Sequence, residues 1–199
     1  MRQLIVASKN QAKWLEIKRM LSDLAYEVRY LGEFKKAPDI SETGSTFKQN
    51  AEIKALAANH FTDKLCIADD SGLVVEALDG KPGVHSSRFA AVNATDEMNT
   101  ALLLEKLKNV PTEKRNAFFV CHIAIADKKR IIWNEENICC GKIALRQSEG
   151  KYGFGYDPVF IPRGFEKTFA DMTPQEKDKL SHRSKALQSA KEFLRHLTT

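Results

Sequence analysis

Two adjacent carboxylates, Asp69 and Asp70, follow the apolar run Leu65-Cys66-Ile67-Ala68 and precede Ser71-Gly72. A pair of acids at the end of a buried strand can hold a hard cation through oxygen ligands, or one of them can act as a base. Ligands of open α/β sheets collect beyond the carboxyl ends of strands, which is where this block is expected to lie. Asp, Ser and Gly also build ordinary turns, so the block alone supports both readings. A third acid, Glu42, stands in Glu42-Thr43-Gly44, ahead of Phe47, Asn50 and Lys54. A glutamate just before a helix serves the helix dipole, and it gains chemical meaning only if the fold brings it to Asp70.

Three further segments carry groups suited to an anionic, aromatic ligand. Ser8-Lys9-Asn10-Gln11-Ala12-Lys13 reads as a strand–turn–helix whose first-turn N–H groups and lysines attract anions. It lacks the glycines of a Walker site. In Gly153-Phe154-Gly155-Tyr156-Asp157-Pro158, two glycines permit close backbone approach and an exposed ring can stack on a base. In Ser181-His182-Arg183, the guanidinium suits a phosphate or a base carbonyl. Each has a plainer counterpart: a capped helix with solvated lysines, a tight turn with two core aromatics, a surface His-Arg pair.

The elements that must position these groups alternate between strands and helices. A first strand spans about Gln3 to Ala7, and a helix from about Gln11 turns Trp14, Ile17, Leu21 and Leu24 inward. Glu33 to Gly44, with Pro38 and Gly44, is an irregular connection. A second helix runs from about Thr46 to Phe61 with Phe47, Ala51, Ala55 and Ala58 on one side. The strand at Leu65–Ala68 is expected to stop at Asp69. Thr95 caps a third helix with Asp96 and Glu97 in its first turn. Ala117 to Ala126 and Ile131 to Ile138 form a β-hairpin around Asp127-Lys128-Lys129-Arg130. Thr173-Pro174-Gln175-Glu176 has the spacing of a capping box, and a helical stripe from Leu180 to Leu197 follows, with Ser181 as a second cap if the helix breaks there. The pattern predicts one mixed α/β domain over residues 1–199 with a central sheet.

Bulk properties exclude several classes. With 43% hydrophobic and 29% charged residues, the 199-residue chain has the balance of a soluble globular protein. No run approaches the roughly 18 apolar residues of a membrane span, and the first strand turns polar too early for a signal peptide, so a cytoplasmic protein is expected. Cys66, Cys121, Cys139 and Cys140 show no C-x-x-C spacing and read as buried reduced thiols. The net charge of +5 is compatible with an anionic ligand without choosing among nucleotide, nucleic acid and membrane surface.

Taken in order, the blocks resemble the Ham1/RdgB-type family of inosine/xanthosine triphosphate pyrophosphatases. The similarity runs through Ser8–Lys13, Glu42–Phe47, Asn50-Ala51, Ala68–Leu73, Pro82–Val84, Ser87–Ala90, Gly153–Pro158, Met172-Thr173, Glu176-Lys177 and Ser181–Arg183. It implies an elongated α/β domain with a long twisted mixed sheet and two lobes flanking a nucleotide cleft. It further implies a homodimer that makes no stable nucleic-acid complex, and hydrolysis of non-standard purine nucleoside triphosphates (ITP, dITP, XTP) to monophosphate and pyrophosphate. By the same resemblance Asp70 is the general base and a ligand of a Mg²⁺ cofactor, and Glu42 is the second metal ligand. Nucleotide contacts fall to Ser8, Lys9, Asn10, Gln11, Ala12, Lys13, Lys54, Ser71, Phe154, Gly155, Tyr156, Asp157, Lys177, His182 and Arg183, with Phe154 stacking on the purine and His182 and Arg183 reading its oxo groups.

The chain departs from the family pattern in three places. Lys9 replaces the usual glycine, Leu145 to Tyr152 differs from the usual Pro-Arg-Gly segment at the base-pocket wall, and His85 stands where tyrosine is frequent. The residue types suit the chemistry independently: a triphosphate demands cations and N–H donors, and choosing inosine over adenosine demands a donor facing the six-position oxygen. Two rivals stay open at this level, a pyrophosphatase for other nucleotides and a nucleotide- or RNA-binding module without catalysis.

Overall fold

The computed structural model describes residues 2–8 and 10–197. Lys9, one of the expected contact residues, lies outside the described residues. Six strands form one mixed sheet in the order β2-β1-β3-β4-β5-β6. β1 (Arg2–Val6) lies between β2 (Tyr26–Tyr30) and β3 (Leu65–Val75) and is parallel to both. β4 (Asn116–Asp127) and β5 (Arg130–Ile143) are joined by Lys128 and Lys129, at φ 48° and 60°. Two consecutive residues in that region make the tight hairpin expected there. β6 (Phe160–Pro162) pairs antiparallel with β5.

The helices begin where their caps stand. α1 (Gln11–Met20) is capped by Asn10, α2 (Phe47–Thr62) by Thr46 and α3 (Asp96–Leu107) by Thr95, each accepting an N–H three residues on. Thr173 and Glu176 close a reciprocal capping box on α4 (Pro174–Asp178). α5 (His182–His196) starts afresh after Ser181, so the C-terminal stripe is broken at the point where a second cap was possible. α1 ends at Met20, and Leu24, expected on its inward face, is buried beyond the helix end.

One expectation is overturned. Asp69-Asp70-Ser71-Gly72 is not a turn that stops a strand, because β3 continues straight through it to Val75. The chain has no need to leave the sheet there: both carboxylates are buried and each has a cation on its own face. Leu65 and Ile67 belong to one core cluster, with Ile17, Cys121 and Ala186. Cys66 and Ala68 belong to another, with Ala51 and Ala55 of α2. Strand alternation therefore sends Asp69 to the α1/α5 side and Asp70 to the α2 side.

The chain divides into two compact units. The first comprises Met1–Asp70, Cys121–Asn137 and Arg183–Thr199, and the second Ser71–Val120 and Ile138–His182. The second has its own core of Leu73, Leu103, Phe119, Tyr156, Phe160, Phe169 and Met172 with their neighbours. Cys66, Cys121 and Cys139 are buried free thiols as expected, while Cys140 is half-buried.

Candidate active site

The first unit carries the acids and most of the cations. Lys54 points from α2 with its Nζ 2.5 Å from Asp70 Oδ1 and 3.0 Å from Glu42 Oε1. Glu42, remote in sequence, is thus brought to Asp70 through one ammonium. Burial pushes the Asp70 carboxyl above its ordinary range, and the Lys54 charge only partly opposes it. Lys54 is held protonated: burial pulls its pKa down, but two facing carboxylates outweigh that and raise it. For Asp70 the burial outweighs the Lys54 and Lys13 charges, with Glu42 adding to it, whereas for Lys54 the two facing acids outweigh the burial.

On the other face of β3, Asp69 gathers donors from Lys13, Arg183 and Cys121. Lys13 Nζ lies 2.6 Å from Oδ1, while Arg183 Nε and the Cys121 thiol lie 2.9 Å from Oδ2. Burial alone would raise this carboxyl, but the Arg183 and Lys13 charges and the thiol overcome it and hold it well below the usual range. Arg183 also meets Glu16 Oε2 at 2.8 Å through Nη1. The guanidinium expected on the base is thereby held between two acids of this unit. Sequence reasoning assigns no site role to Glu16 or Cys121, and it offers Asp69 only as one of two adjacent acids that could hold a cation or act as a base, not as the partner of Lys13 and Arg183.

The α1 N-terminus is open to an anion. Asn10 accepts the Lys13 N–H through Oδ1, Ser8 Oγ accepts the Asn10 N–H, and the first turn holds no acid. Asn10, Gln11 and Ala12 are at least partly exposed, and Lys13 is half-buried with its charge turned to Asp69.

The second unit holds the aromatic and glycine-rich segment. Asp157 Oδ2 accepts the Phe154 N–H at 2.9 Å and Lys177 Nζ at 2.6 Å. Lys177 Nζ also sits 5.4 Å from the centre of the half-buried Phe154 ring. Gly153 has φ 79°, and a Cβ there would collide with the Asp157 carboxylate, so this approach needs glycine. Gly155, at φ 62°, donates its N–H to Asp96 Oδ2. Tyr156 is a core residue whose hydroxyl donates to the Ser86 carbonyl, and burial followed by the Asp96 charge pushes its pKa up. His182 is buried with its ring stacked on Phe119, 4.6 Å between centres and 7° from parallel. Ser71 is half-buried on β3. The departing segment is tied down at both ends: Ser148 N donates to the Pro158 carbonyl and Tyr152 N to that of Ala170.

Two carboxylates gripping a single cation make an oxygen donor set for a hard metal. Among the described residues no group of three or more His, Cys, Asp or Glu is placed to hold a metal unaided. Glu42 and Asp70 are the residues that could hold a hard cation, since an ion such as Mg²⁺ takes one or two carboxylates and completes its shell with substrate oxygens and water. Among the described residues no helix is long and apolar enough to cross a membrane.

Fold and site together define a mixed α/β protein with two buried acid–cation networks along β3. The chain belongs to the Ham1 family, whose model matches residues 4–193. It is 45% identical over 195 residues to a dITP/XTP pyrophosphatase of Desulforamulus reducens, covering 98% of this chain and 96% of that one. With the dITP/XTP pyrophosphatase of Geobacillus kaustophilus the identity is 46% over 187 residues, covering 94% and 91%. The Ham1 protein structure from Coxiella burnetii superposes with a TM-score of 0.87 at 40% identity, covering 98% of this chain and 100% of that one. That of the Staphylococcus aureus Ham1 protein gives 0.85 at 38% identity, covering 98% and 99%.

Proposed function

We propose that this chain hydrolyses non-standard purine nucleoside triphosphates, dITP, ITP and XTP among them, to the monophosphate and pyrophosphate. The observation that carries the reading is the Glu42–Lys54–Asp70 link, which gathers a buried carboxylate, a second acid and a cation at one place. The names of the relatives support the substrate class.

In this reading Asp70 orients a water and takes its proton as the water attacks the α-phosphorus. A carboxylate raised by burial is a better base than an exposed one. Lys54 and Lys13 are the cations that meet the phosphates, helped by the open N-terminus of α1 with Ser8, Asn10, Gln11 and Ala12. Lys9 and Ser71 belong to the same expected contact set. A bound Mg²⁺, held by Glu42 and Asp70, would neutralise the triphosphate and the departing pyrophosphate. Lys54 brings one positive charge against two acids and a triphosphate, so this reading includes a dependence on divalent metal.

Base selection falls to the second unit. Phe154 offers a ring, Asp157 fixes it relative to Lys177, and Lys177 and His182 are donors for a six-position oxygen. An adenine amino group facing such donors leaves both sides unsatisfied. Gly155 and Tyr156 shape the same segment. The whole of residues 1–199 acts as one catalytic domain in this proposal, as a cytoplasmic homodimer that removes damaged nucleotides from the pool.

The test is pyrophosphate release from ITP, XTP, ATP and GTP, each with Mg²⁺ and with chelator. Release from the first two that needs metal is the expected result. Equal rates on all four would remove the base selectivity, and binding without release would replace the enzyme with a binding module. Light scattering at micromolar concentration gives the oligomeric state.

A further inference from the structure

Asn50 is fully buried, yet among the described residues its Nδ2 has no hydrogen-bond partner. Leaving a buried donor unsatisfied costs on the order of 1–3 kcal/mol, so an apolar side chain would fill this place more cheaply. What the amide does with its other end accounts for it. Asn50 Oδ1 accepts the backbone N–H of Gly44 at 2.8 Å, an arrangement that also fixes which end of the amide faces the loop.

The contact is too close for any residue but glycine. A Cβ on Gly44 would lie 2.6 Å from Gln49 Cβ, 2.7 Å from Asn50 Oδ1 and 3.1 Å from Asn50 N. Gly44 is needed here for approach. Around it the loop is strapped to the first turn of α2: Ser45 N donates to Gln49 Oε1 at 2.8 Å, and Gln49 N donates to Thr46 Oγ1. Upstream, Thr43 N donates to the Ser41 carbonyl at 3.1 Å, which puts Glu42 at the middle of a three-residue turn. Asn50 and Lys54 are four residues apart on one face of α2, so one stripe of the helix grips both the backbone and the side chain of this loop.

We propose that Asn50 is a positioning residue that, through Gly44, sets the Glu42 carboxylate in place for the divalent cation before substrate arrives. The inference rests on the assignment of Glu42 as a metal ligand made above. Without the latch Glu42 sits in a loop that must be ordered at each binding event, and that cost appears in metal affinity.

Asn50→Ala and Gly44→Ala test it. In metal- and nucleotide-free protein, amide hydrogen exchange across residues 42–46 should speed up about five-fold or more in Asn50→Ala, the loss of one ordinary hydrogen bond, while β1 and β3 exchange as in the parent. With ITP, the Mg²⁺ concentration for half-maximal rate should rise by a similar factor, with kcat at saturating Mg²⁺ kept within about two-fold. If Asn50→Ala does not fold, Gly44→Ala keeps the helix residue and lifts the loop sterically, with the same two shifts expected. Unchanged exchange at 42–46, or a lower kcat with an unchanged Mg²⁺ requirement, overturns the proposal. The exchange arm uses no nucleotide, so an inactive parent enzyme would sink the pyrophosphatase reading while the latch is still decided.

Discussion

Asp69 and Asp70, adjacent on β3, each hold their own lysine on opposite faces of the sheet: Lys13 Nζ lies 2.6 Å from Asp69, and Lys54 Nζ 2.5 Å from Asp70. The two acids differ in direction as well. Asp69 is locked in its charged form by Arg183 and Lys13, whereas burial makes Asp70 the more basic. One strand thus separates a carboxylate held charged from one that burial makes more basic.

Asp70→Asn follows from this division. The amide oxygen still accepts from Lys54, and Glu42 still neutralises that lysine, so stability should change by no more than about 1.5 kcal/mol. The base is lost, and kcat/KM on ITP should fall by roughly 10²–10⁴. An Asp70→Asn variant that folds and retains a tenth of the parental rate would take Asp70 out of the reaction.

For Asp69→Asn the expected order is reversed. Removing the charge leaves Lys13 and the buried Arg183 short of a partner, at about 3–5 kcal/mol. The folded pKa is depressed, so the contribution is fully present above the unfolded value near 3.9 and is lost as pH falls through the folded one. Urea midpoints of parent and variant should lie apart by a constant amount above about pH 5 and converge in acid. Parallel curves across the acid range would mean that Asp69 contributes no such linkage.

Much of this was legible in the sequence, and the exceptions have a common physical origin. The caps Thr95 and Thr173 and the Lys128-Lys129 turn act through their nearest neighbours, so local chemistry is enough to place them. Phe154, Asp157 and Lys177 were expected at the site, and the structure brings them together. Asp69-Asp70-Ser71-Gly72 misled because turn propensity is local, whereas the cations that allow these acids to stay in a strand come from residues 13, 54 and 183. Asn50 and Cys121 were silent for the same reason, since their partners are known only once the helix and the neighbouring strand are in place.

Cys66 provides an alkaline counterpart. Burial pushes its thiol from 9.0 up to about 11, with the Thr62 hydrogen bond opposing. The folded state then keeps a proton that the unfolded chain has already lost. The stability this represents is whole below the unfolded value and is lost as pH rises toward about 11. Across that window each pH unit costs about 1.4 kcal/mol. Cys66→Ala should lower stability at neutral pH through the lost volume, yet flatten the decline between these limits in pH-dependent unfolding. The same decline in parent and variant would assign it to other groups.

Lys177 is where base discrimination can be separated from catalysis. Its ammonium is fixed by Asp157, and Asp157 also accepts the Phe154 N–H, so the donor and the ring are set by one carboxylate. Lys177→Met keeps the length and the apolar stem but deletes the charge. Asp157 then loses its buried partner and keeps the Phe154 N–H, so a stability loss of about 3 kcal/mol is expected and must be measured alongside. The informative quantity is a ratio. If Lys177 donates to the six-position oxygen, kcat/KM for ITP should fall by roughly 10- to 100-fold, the loss of a charged hydrogen bond, while that for ATP stays within about three-fold. General destabilisation of the enzyme lowers both nucleotides together, so an equal fall for ITP and ATP would assign Lys177 to the scaffold and leave the selectivity to His182.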